Sequence, residues 1–197
     1  VPYGVDMDKF PFAGGREERS IITVGNLIRR KGHRYLLAAM ETVVSEFPDV
    51  TLHVVGTGPL REELESQTES LGIDDSVMFH GFVDDERLVE LLQRARAFVH
   101  PSLSEGFSHA RLEAMATGCP VVGTDVSGAH DLTRDGTDGY IVPIGNPDAL
   151  SDAIIELLSD AERASEMGRN ARKKIERDHD YADIGRRYLE IYREMVA

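Results

Sequence analysis

The chain has 197 residues, of which 41% are hydrophobic, and its 35 acidic and 22 basic side chains give a formal net charge of -13. This composition excludes a disordered tail, a collagen-like chain and a coiled coil, and it can supply a sizeable core. The negative charge argues against nucleic acid and anionic membranes as partners, because both bind basic surfaces. An anionic small molecule could still bind wherever basic side chains gather.

Strand and helix patterns alternate along the chain. Short apolar runs predict six strands, at 20–24, 50–55, 77–80, 97–100, 120–124 and 139–142. Apolar residues three or four apart predict helices at about 33–47, 59–71, 84–96, 108–117, 147–158, 161–177 and 181–196. Strands alternating with helices indicate an α/β fold with a doubly wound, mostly parallel sheet.

Ligands of doubly wound sheets bind in the loops beyond the carboxyl ends of the strands. In this chain those loops are 25–32, 56–59, 80–84, 101–108 and 124–128. We therefore expect the functional residues in these five segments.

The densest basic cluster, RRKGHR at 29–34, follows the first strand and precedes a helix. A helix N-terminus favours an anion through its dipole and free N–H groups, and arginine and lysine add Coulomb attraction. A solvated surface cluster is the alternative interpretation, but the position of the segment at the ligand edge favours a phosphate site.

A glycine-rich turn, GTGPLR at 56–61, begins like a dinucleotide fingerprint. Arg61 replaces its third glycine, and no acidic residue ends a strand about twenty residues later, as a ribose contact would require. We therefore expect neither a nicotinamide nor a flavin site, although the turn can bring backbone close to a ligand.

Two glutamates flank the 101–108 loop and the helix after it. Glu105 precedes the helix and Glu113 lies in its second turn. A carboxylate can accept the paired hydroxyls of a sugar, so both could face one extended ligand. Taken alone, however, the two residues favour an ordinary amphipathic helix with a salt-bridged glutamate.

The segment EGFSHARLEAMATGCPVVGTDVSG, which contains both glutamates, resembles the Glu-x7-Glu signature of family 4 retaining glycosyltransferases with the GT-B fold. VPYGVDMDKF resembles the start of the family's C-terminal domain, VGNLIRRKG its phosphate loop and GTGPLREELE its second turn. VMFHGFV resembles its base-side loop, and DGTDGYIVPIGNPDAL resembles its closing strand and helix. The motifs follow the family's order over nearly the whole chain.

The resemblance implies a site for a nucleotide-diphospho-sugar donor. Lys31 would bind the diphosphate, with Arg29 or Arg30 as a helper. Glu113 would hold the ribose hydroxyls, and Glu105 would contact the transferred sugar or its phosphate side. Lys31 and Glu105 would thus be the catalytic residues. The family needs no obligatory metal or other cofactor, so the cations would stabilise the leaving diphosphate.

The resemblance also assigns weaker roles and shows departures. The backbone at Gly106, Phe107 and Ser108 would place the sugar and diphosphate, and the segment 82–83 (Phe82 and Val83) would lie near the base. The family often has arginine where this chain has Asn26. Either Arg29 or Arg30 would substitute for that arginine, or the chain would bind the phosphates more weakly. Ser108 stands where glycine is common, and the variable stretch 109–111 would tune donor choice.

Family members place their active site between two Rossmann-like domains, and this chain resembles only the second. We therefore expect residues 1–197 to form a single nucleotide-sugar-binding domain whose partner, the N-terminal acceptor domain, is absent from the chain. Alone, it would bind donor weakly or not at all, and it would not turn over. Half of a nucleotide-sugar epimerase and a non-catalytic nucleotide-sugar-binding or interaction module are the alternatives.

A cytoplasmic location is expected on two grounds. Cys119 is the only cysteine, so no intrachain disulfide can form, and the sequence has no secretory leader. No apolar run reaches the ~20 residues of a membrane span, so any membrane contact would come through the absent domain.

Several further signals favour structural roles. His53, His80 and His100 lie in or at the ends of strands, and two Asp-x-Asp segments, at 6–8 and 178–180, do not follow a buried strand. We therefore expect no metal site. The last helix carries an apolar stripe, which needs either the absent domain or the chain's own sheet as its partner.

Overall fold

The computed structural model describes residues 3–14, 16 and 19–196, with Val196 described for its backbone only. Six strands form one sheet: β1 (Ser20–Val24), β2 (Thr51–Val55), β3 (Val77–Gly81), β4 (Ala97–His100), β5 (Val121–Thr124) and β6 (Gly139–Val142). Their order is β3-β2-β1-β4-β5-β6, and every pairing is parallel. The predicted α/β fold is confirmed, and each strand lies within one residue of its predicted bounds.

The helices lie between and after the strands. They are α1 (His33–Glu46), α2 (Arg61–Leu71), α3 (Asp85–Arg94), α4 (His109–Ala116), α5 (Ala129–Leu132), α6 (Pro147–Ser159), α7 (Ala161–Asp178) and α8 (Tyr181–Val196). The sequence did not predict α5, because a single turn is too short to show a helical period. Helix α3 ends two residues earlier than predicted, since Arg96 already donates its N–H to the carbonyl of Ser20 in the sheet, at 2.7 Å.

The sheet separates two hydrophobic cores. Adjacent residues of β1 point to opposite faces, so Ile21 enters one core and Ile22 the other, and both are fully buried. Helices α1, α2 and α6 cover the first core, α3 and α4 cover the second, and α7 contributes to both. Burial on both faces explains why these strands are almost continuously apolar in sequence.

The order of the strands reverses between β1 and β4, and the loops that follow these two strands meet. A Cβ on Gly32 would lie 1.9 Å from the carbonyl oxygen of Pro101, and the φ of +70° at Gly32 is itself a glycine conformation. The Leu103 N–H donates to the Arg30 carbonyl at 2.8 Å. The basic loop is therefore fixed against the loop that carries Glu105.

Helix α8 is attached to the rest of the fold mainly through one side chain. Ile184 is buried, whereas the other members of the apolar stripe are 44–78% exposed: Tyr181, Tyr188, Ile191, Tyr192 and Met195. Ile184 lies against the segment at Gly4 and belongs to neither core of the sheet. Within the described part of the chain, the rest of the stripe is therefore left largely exposed. No helix among the described residues has the length and apolar character needed to span a membrane.

Candidate functional site

Lys31 and Glu105, 74 residues apart in sequence, form an ion pair at the carboxyl edge of the sheet. Lys31 Nζ lies 2.5 Å from Glu105 Oε2, and both side chains are less than one-fifth exposed. Arg30 Nη1 lies 3.2 Å from Oε1 and also donates to the carbonyl of Ser104 at 3.0 Å. The structure thus brings the predicted phosphate cluster and the first glutamate together, with one carboxylate facing two cations.

Not every cation of the basic cluster points into this site. Arg30 and Lys31 belong to a short 3-10 turn that ends at Gly32. Arg34 is exposed, and its guanidinium lies 5.4 Å from the centre of the Tyr35 ring. Arg29 is also exposed and lines a separate cavity beside Arg34 and Glu63. The cations of the cluster that contact Glu105 are Arg30 and Lys31.

His100 lies behind Glu105 at the end of β4. It is 2% exposed, and its Nε2 lies 3.6 Å from Glu105 Oε2 and 3.3 Å from the Ser102 hydroxyl. Burial lowers the pKa of His100 to about 4, so the ring is neutral at pH 7. The neighbouring His100 ring and Lys31 ammonium hold the pKa of Glu105 well below its ordinary value, against the opposing effect of its burial. Glu105 is therefore a permanent anion in this site.

Glu113, on α4, has a different environment. Its side chain is half-buried and lies near Lys9, Asp85 and His109, and burial is the main effect that raises its pKa. Lys9 itself pairs with Asp85 at 2.6 Å. Among the residues that the structure describes, no side chain forms an ion pair or hydrogen bond with the Glu113 carboxylate. Its oxygens are available to accept hydroxyl groups.

Three predicted contact residues lie beyond the carboxyl ends of β3 and β1, which β2 separates in the sheet. Phe82, directly after β3, is 86% exposed, and Val83 packs partly against the second core. Asn26, after β1, is exposed, and its carbonyl accepts the N–H of Ile28 at 2.9 Å. An aromatic side chain this exposed is available to stack on a flat ligand group.

The turn that begins α4 presents backbone rather than side chains. A Cβ on Gly106 would meet no atom within 4 Å, so this position faces open space. The Ser108 hydroxyl accepts the N–H of Arg111 at 3.3 Å and thereby caps the helix. The ring of Phe107 packs against that of Tyr3 in a tilted arrangement, with centroids 4.6 Å apart. Phe107 thus anchors the loop, while the backbone near Gly106 remains accessible.

Two polar residues, His100 and Arg111, lie buried behind the site. The sequence predicted a structural role for His100 and, within the segment 109–111, a role in donor choice for Arg111; nothing in it predicted that the two side chains meet. Arg111 is 1% exposed, and its Nη2 lies 3.4 Å from His100 Nδ1. Gly123 in β5 makes room for it, because a Cβ there would lie 2.2 Å from Nη2. Two features of the sequence could have indicated this contact. Arg111 directly precedes an apolar residue of α4, Leu112, and the strand before that helix ends in His100.

The carboxylates of the two Asp-x-Asp segments bind protein groups. Asp6 Oδ1 accepts the N–H groups of Asp8 and Lys9, and Asp178 pairs with Arg177 at 2.6 Å. Across residues 3–14, 16 and 19–196, no three histidine, cysteine or acidic side chains lie close enough to hold a metal ion.

Comparison with known proteins places this chain in a family. A family model described as glycosyl transferases group 1 matches residues 6–174. The phosphatidyl-myo-inositol mannosyltransferase of Mycolicibacterium smegmatis is 31% identical over 199 residues, which cover 98% of this chain and 50% of that protein. The chain spans about half the length of the curated relatives it matches.

Solved structures show the same fold. Sucrose-phosphate synthase from Thermosynechococcus elongatus has a TM-score of 0.89 and 28% identity, covering 100% of this chain and 52% of that chain. An Anabaena protein solved in complex with UDP and glucose has a TM-score of 0.87 and 23% identity, covering 96% and 55% respectively. Together with the family model, these relatives show that the chain belongs to the group 1 glycosyltransferases.

Proposed function

We propose that this chain is the donor-binding part of a retaining glycosyltransferase and binds a nucleotide-diphospho-sugar at the carboxyl edge of its sheet. The observation that carries the proposal is the convergence of Lys31 and Arg30 on one anion at the strand-order reversal. Ligands of doubly wound sheets bind at this position. In a chain with a net charge of -13, two adjacent cations directed into one loop cluster favour an anionic ligand.

Lys31 and Arg30 bind the diphosphate in this proposal. Departure of a nucleoside diphosphate builds negative charge on its terminal phosphate, and fixed cations stabilise that charge in the transition state. Glu105 contacts the transferred sugar. Because its carboxylate already shares both cations, the diphosphate competes with Glu105 for them when the donor binds.

The nucleoside lies at the other end of the site. Glu113 has free acceptor oxygens, and a carboxylate can accept two vicinal ribose hydroxyls. The exposed Phe82 and its neighbour Val83 contact the base, and the backbone at Gly106, Phe107 and Ser108 contacts the sugar and diphosphate. Asn26 supplies a weaker polar contact beside the phosphates.

The remainder of the reaction needs protein outside this chain. Its relatives are about twice as long, so we assign the acceptor site to a second domain and expect the 197 residues alone to show no transfer. One relative is named as GDP-mannose-dependent, and one structural neighbour was solved with UDP-glucose. We therefore propose a nucleoside diphosphate hexose as the donor.

Calorimetric titration with UDP, GDP, ADP, UDP-glucose and GDP-mannose tests the proposal. We expect binding of at least one nucleoside diphosphate, with loss of that binding in both Lys31→Ala and Glu113→Ala. Glu46→Ala, at an exposed acidic residue that ends α1 away from the carboxyl edge of the sheet, is the matched control and should bind as the wild type does. A wild-type protein that binds none of the five compounds would contradict the proposal.

A further inference from the structure

Behind the proposed donor site lies a buried polar chain formed by Arg111, His100 and Glu105. Arg111 and His100 are 1% and 2% exposed, so water does not solvate either group. Arg111 Nη2 lies 3.4 Å from His100 Nδ1, and His100 Nε2 lies 3.6 Å from Glu105 Oε2. Two fully buried residues thus connect the core of α4 to the carboxylate that pairs with Lys31 and Arg30.

The hydrogen-bonding capacity of these groups fixes the tautomer of His100. A guanidinium can only donate, so Nδ1 must be the acceptor and the ring proton must lie on Nε2. Burial lowers the pKa of Arg111 to about 10, which leaves it charged at pH 7. The Nε2–H then points to the side on which Ser102 and Glu105 lie.

The cost of burying Arg111 indicates that the contact is specific. A buried cation without a carboxylate partner is expensive, and no described residue forms a hydrogen bond with the Nε of Arg111. The partners of its other nitrogens are His100 and the carbonyl of Ala129, at 3.5 Å. An apolar side chain could fill this space in the core, but it would leave His100 Nδ1 without a donor.

We propose that Arg111 and His100 are positioning residues for Glu105: Arg111 fixes the proton of His100 on Nε2, and Nε2–H holds the Glu105 carboxylate when the donor diphosphate takes over Lys31 and Arg30. This inference rests on the proposed function, because it requires a diphosphate at those cations. In the structure the 3.6 Å separation is longer than a hydrogen bond, and Glu105 leans toward Lys31 at 2.5 Å. Donor binding weakens the contact between Glu105 and Lys31 and shortens the distance between Glu105 and His100.

His100 does not act as an acid or a base in this arrangement. The charged groups around it are Arg111 from α4, Lys31 from the basic loop and Glu105, and the neighbouring His33 begins α1. Both cations and the burial oppose a second proton on the ring. His100 therefore supplies a permanent neutral donor, and its contribution is geometric.

Nitrogen-15 NMR of the imidazoles tests the first half of the proposal without any ligand. We expect His100 to keep the Nε2–H tautomer from pH 5 to 8, with the exposed His130 as the reference signal in the same spectra. Arg111→Met should convert His100 to a tautomer mixture, whereas Arg87→Met, at a distant surface arginine, should leave it unchanged. A wild-type proton on Nδ1, or an unchanged tautomer in Arg111→Met, would overturn the assignment.

The second half is tested by comparing each nucleoside diphosphate with its sugar ester, using UDP against UDP-glucose and GDP against GDP-mannose. We expect His100→Leu to bind the diphosphate within about twofold of the wild type and to lose roughly tenfold in affinity for the sugar ester. His100→Gln, whose amide can still donate to Glu105, should recover most of that loss. Equal losses for both ligands, or no loss for either, would refute the positioning role.

Failure of the proposed function gives a different pattern. If the wild type binds no nucleotide at all, donor binding is refuted. The contact between Glu105 and His100 can still be tested by following the Glu105 carboxyl in a carbon-13 NMR titration. We then expect the pKa of Glu105 to be higher in His100→Leu than in the wild type. An identical titration in the two proteins would refute the contact itself.

Discussion

The two carboxylates that begin and end the segment 105–113 have opposite environments. Glu105 pairs with Lys31 and Arg30, and His100 and Lys31 lower its pKa. Glu113 has no such pair among the described residues, and burial raises its pKa. Two residues of one type in one motif therefore have opposite pKa shifts because of what the fold places beside them.

This difference gives the two ends of the candidate site different charge and hydrogen-bonding character. The Glu105 end holds positive charge and suits phosphate, whereas the Glu113 end offers unsatisfied acceptors and suits hydroxyl groups. The residues that follow β1 and β3 continue the same division, with cations in the first loop and the exposed ring of Phe82 in the second. An extended ligand with a diphosphate at one end and a nucleoside at the other matches this polarity.

The largest expected effect is on stability at the Glu105 end. Glu105→Gln should lower the free energy of unfolding by about 2–4 kcal/mol at pH 7, because it leaves a half-buried lysine without its anion. Since the pKa of Glu105 is depressed in the folded state, this stabilisation is present above the ordinary glutamate pKa of 4.5 and is lost as the pH falls below it. Urea unfolding at pH 7 and pH 3.5 measures the difference. Glu41→Gln, at an exposed residue of α1, is the control and should change neither value.

Removal of the cation should weaken nucleotide binding next most strongly. Lys31→Met keeps the length of the side chain but loses its charge, and we expect about 2 kcal/mol of lost affinity for a nucleoside diphosphate, roughly thirtyfold. Calorimetry with Arg34→Met as the matched control measures it, since Arg34 carries the same charge in the same basic cluster but its guanidinium lies over the Tyr35 ring. Comparable losses in the two variants would show that the net charge of the loop, not the position of Lys31, binds the phosphate.

Glu113 should respond in the opposite direction to Glu105 in stability. Its pKa is raised in the folded state, so the protonated form is favoured, and Glu113→Gln should add roughly 0.5–1 kcal/mol to the free energy of unfolding at pH 7. That gain should vanish below about pH 4, where the wild-type carboxyl is protonated in both states. The same variant should bind a nucleoside diphosphate roughly tenfold more weakly through lost ribose contacts. Destabilisation at pH 7 would show that the carboxylate has a partner in solution.

Phe82 should give the smallest effect and the cleanest separation of binding from stability. Because its ring is 86% exposed, Phe82→Ala should leave the unfolding midpoint unchanged. Loss of base stacking should weaken nucleotide binding by about 1 kcal/mol, roughly fivefold. Ile144→Ala, at another exposed apolar residue, serves as the control in the same titration. Unchanged nucleotide affinity in Phe82→Ala would show that the base does not contact this loop.

The sequence predicted the sheet well because its physical signals are local. Strands covered on both faces are apolar throughout. Asn146 and Pro147 predicted the start of α6, and the Asn146 carboxamide oxygen accepts the N–H of Ala149 there at 3.1 Å. The single turn of α5 has no such signal. The loops that carry the site were predicted for the same reason, since they follow directly from the strand ends.

The contacts within the site could not be predicted in the same way. The pairing of Lys31 with Glu105 spans 74 residues and depends on which strands become neighbours. The burial of Arg111 depends on which side of α4 faces β5, where Gly123 leaves space for it. A histidine at the end of a strand most often has a structural role. Only the distances from His100 to Arg111 and Glu105 indicate that it positions a residue of the candidate site.

The most direct test of the account is the effect of Glu105→Gln on two ligands measured side by side, a nucleoside diphosphate and its hexose ester. If the diphosphate must take Lys31 and Arg30 from Glu105, the variant should bind UDP or GDP about threefold more tightly than the wild type, because a competing anion is gone. It should also lose most of the additional affinity that the sugar confers on UDP-glucose or GDP-mannose. Weaker or unchanged binding of the diphosphate, with the preference for the sugar ester intact, would contradict the account.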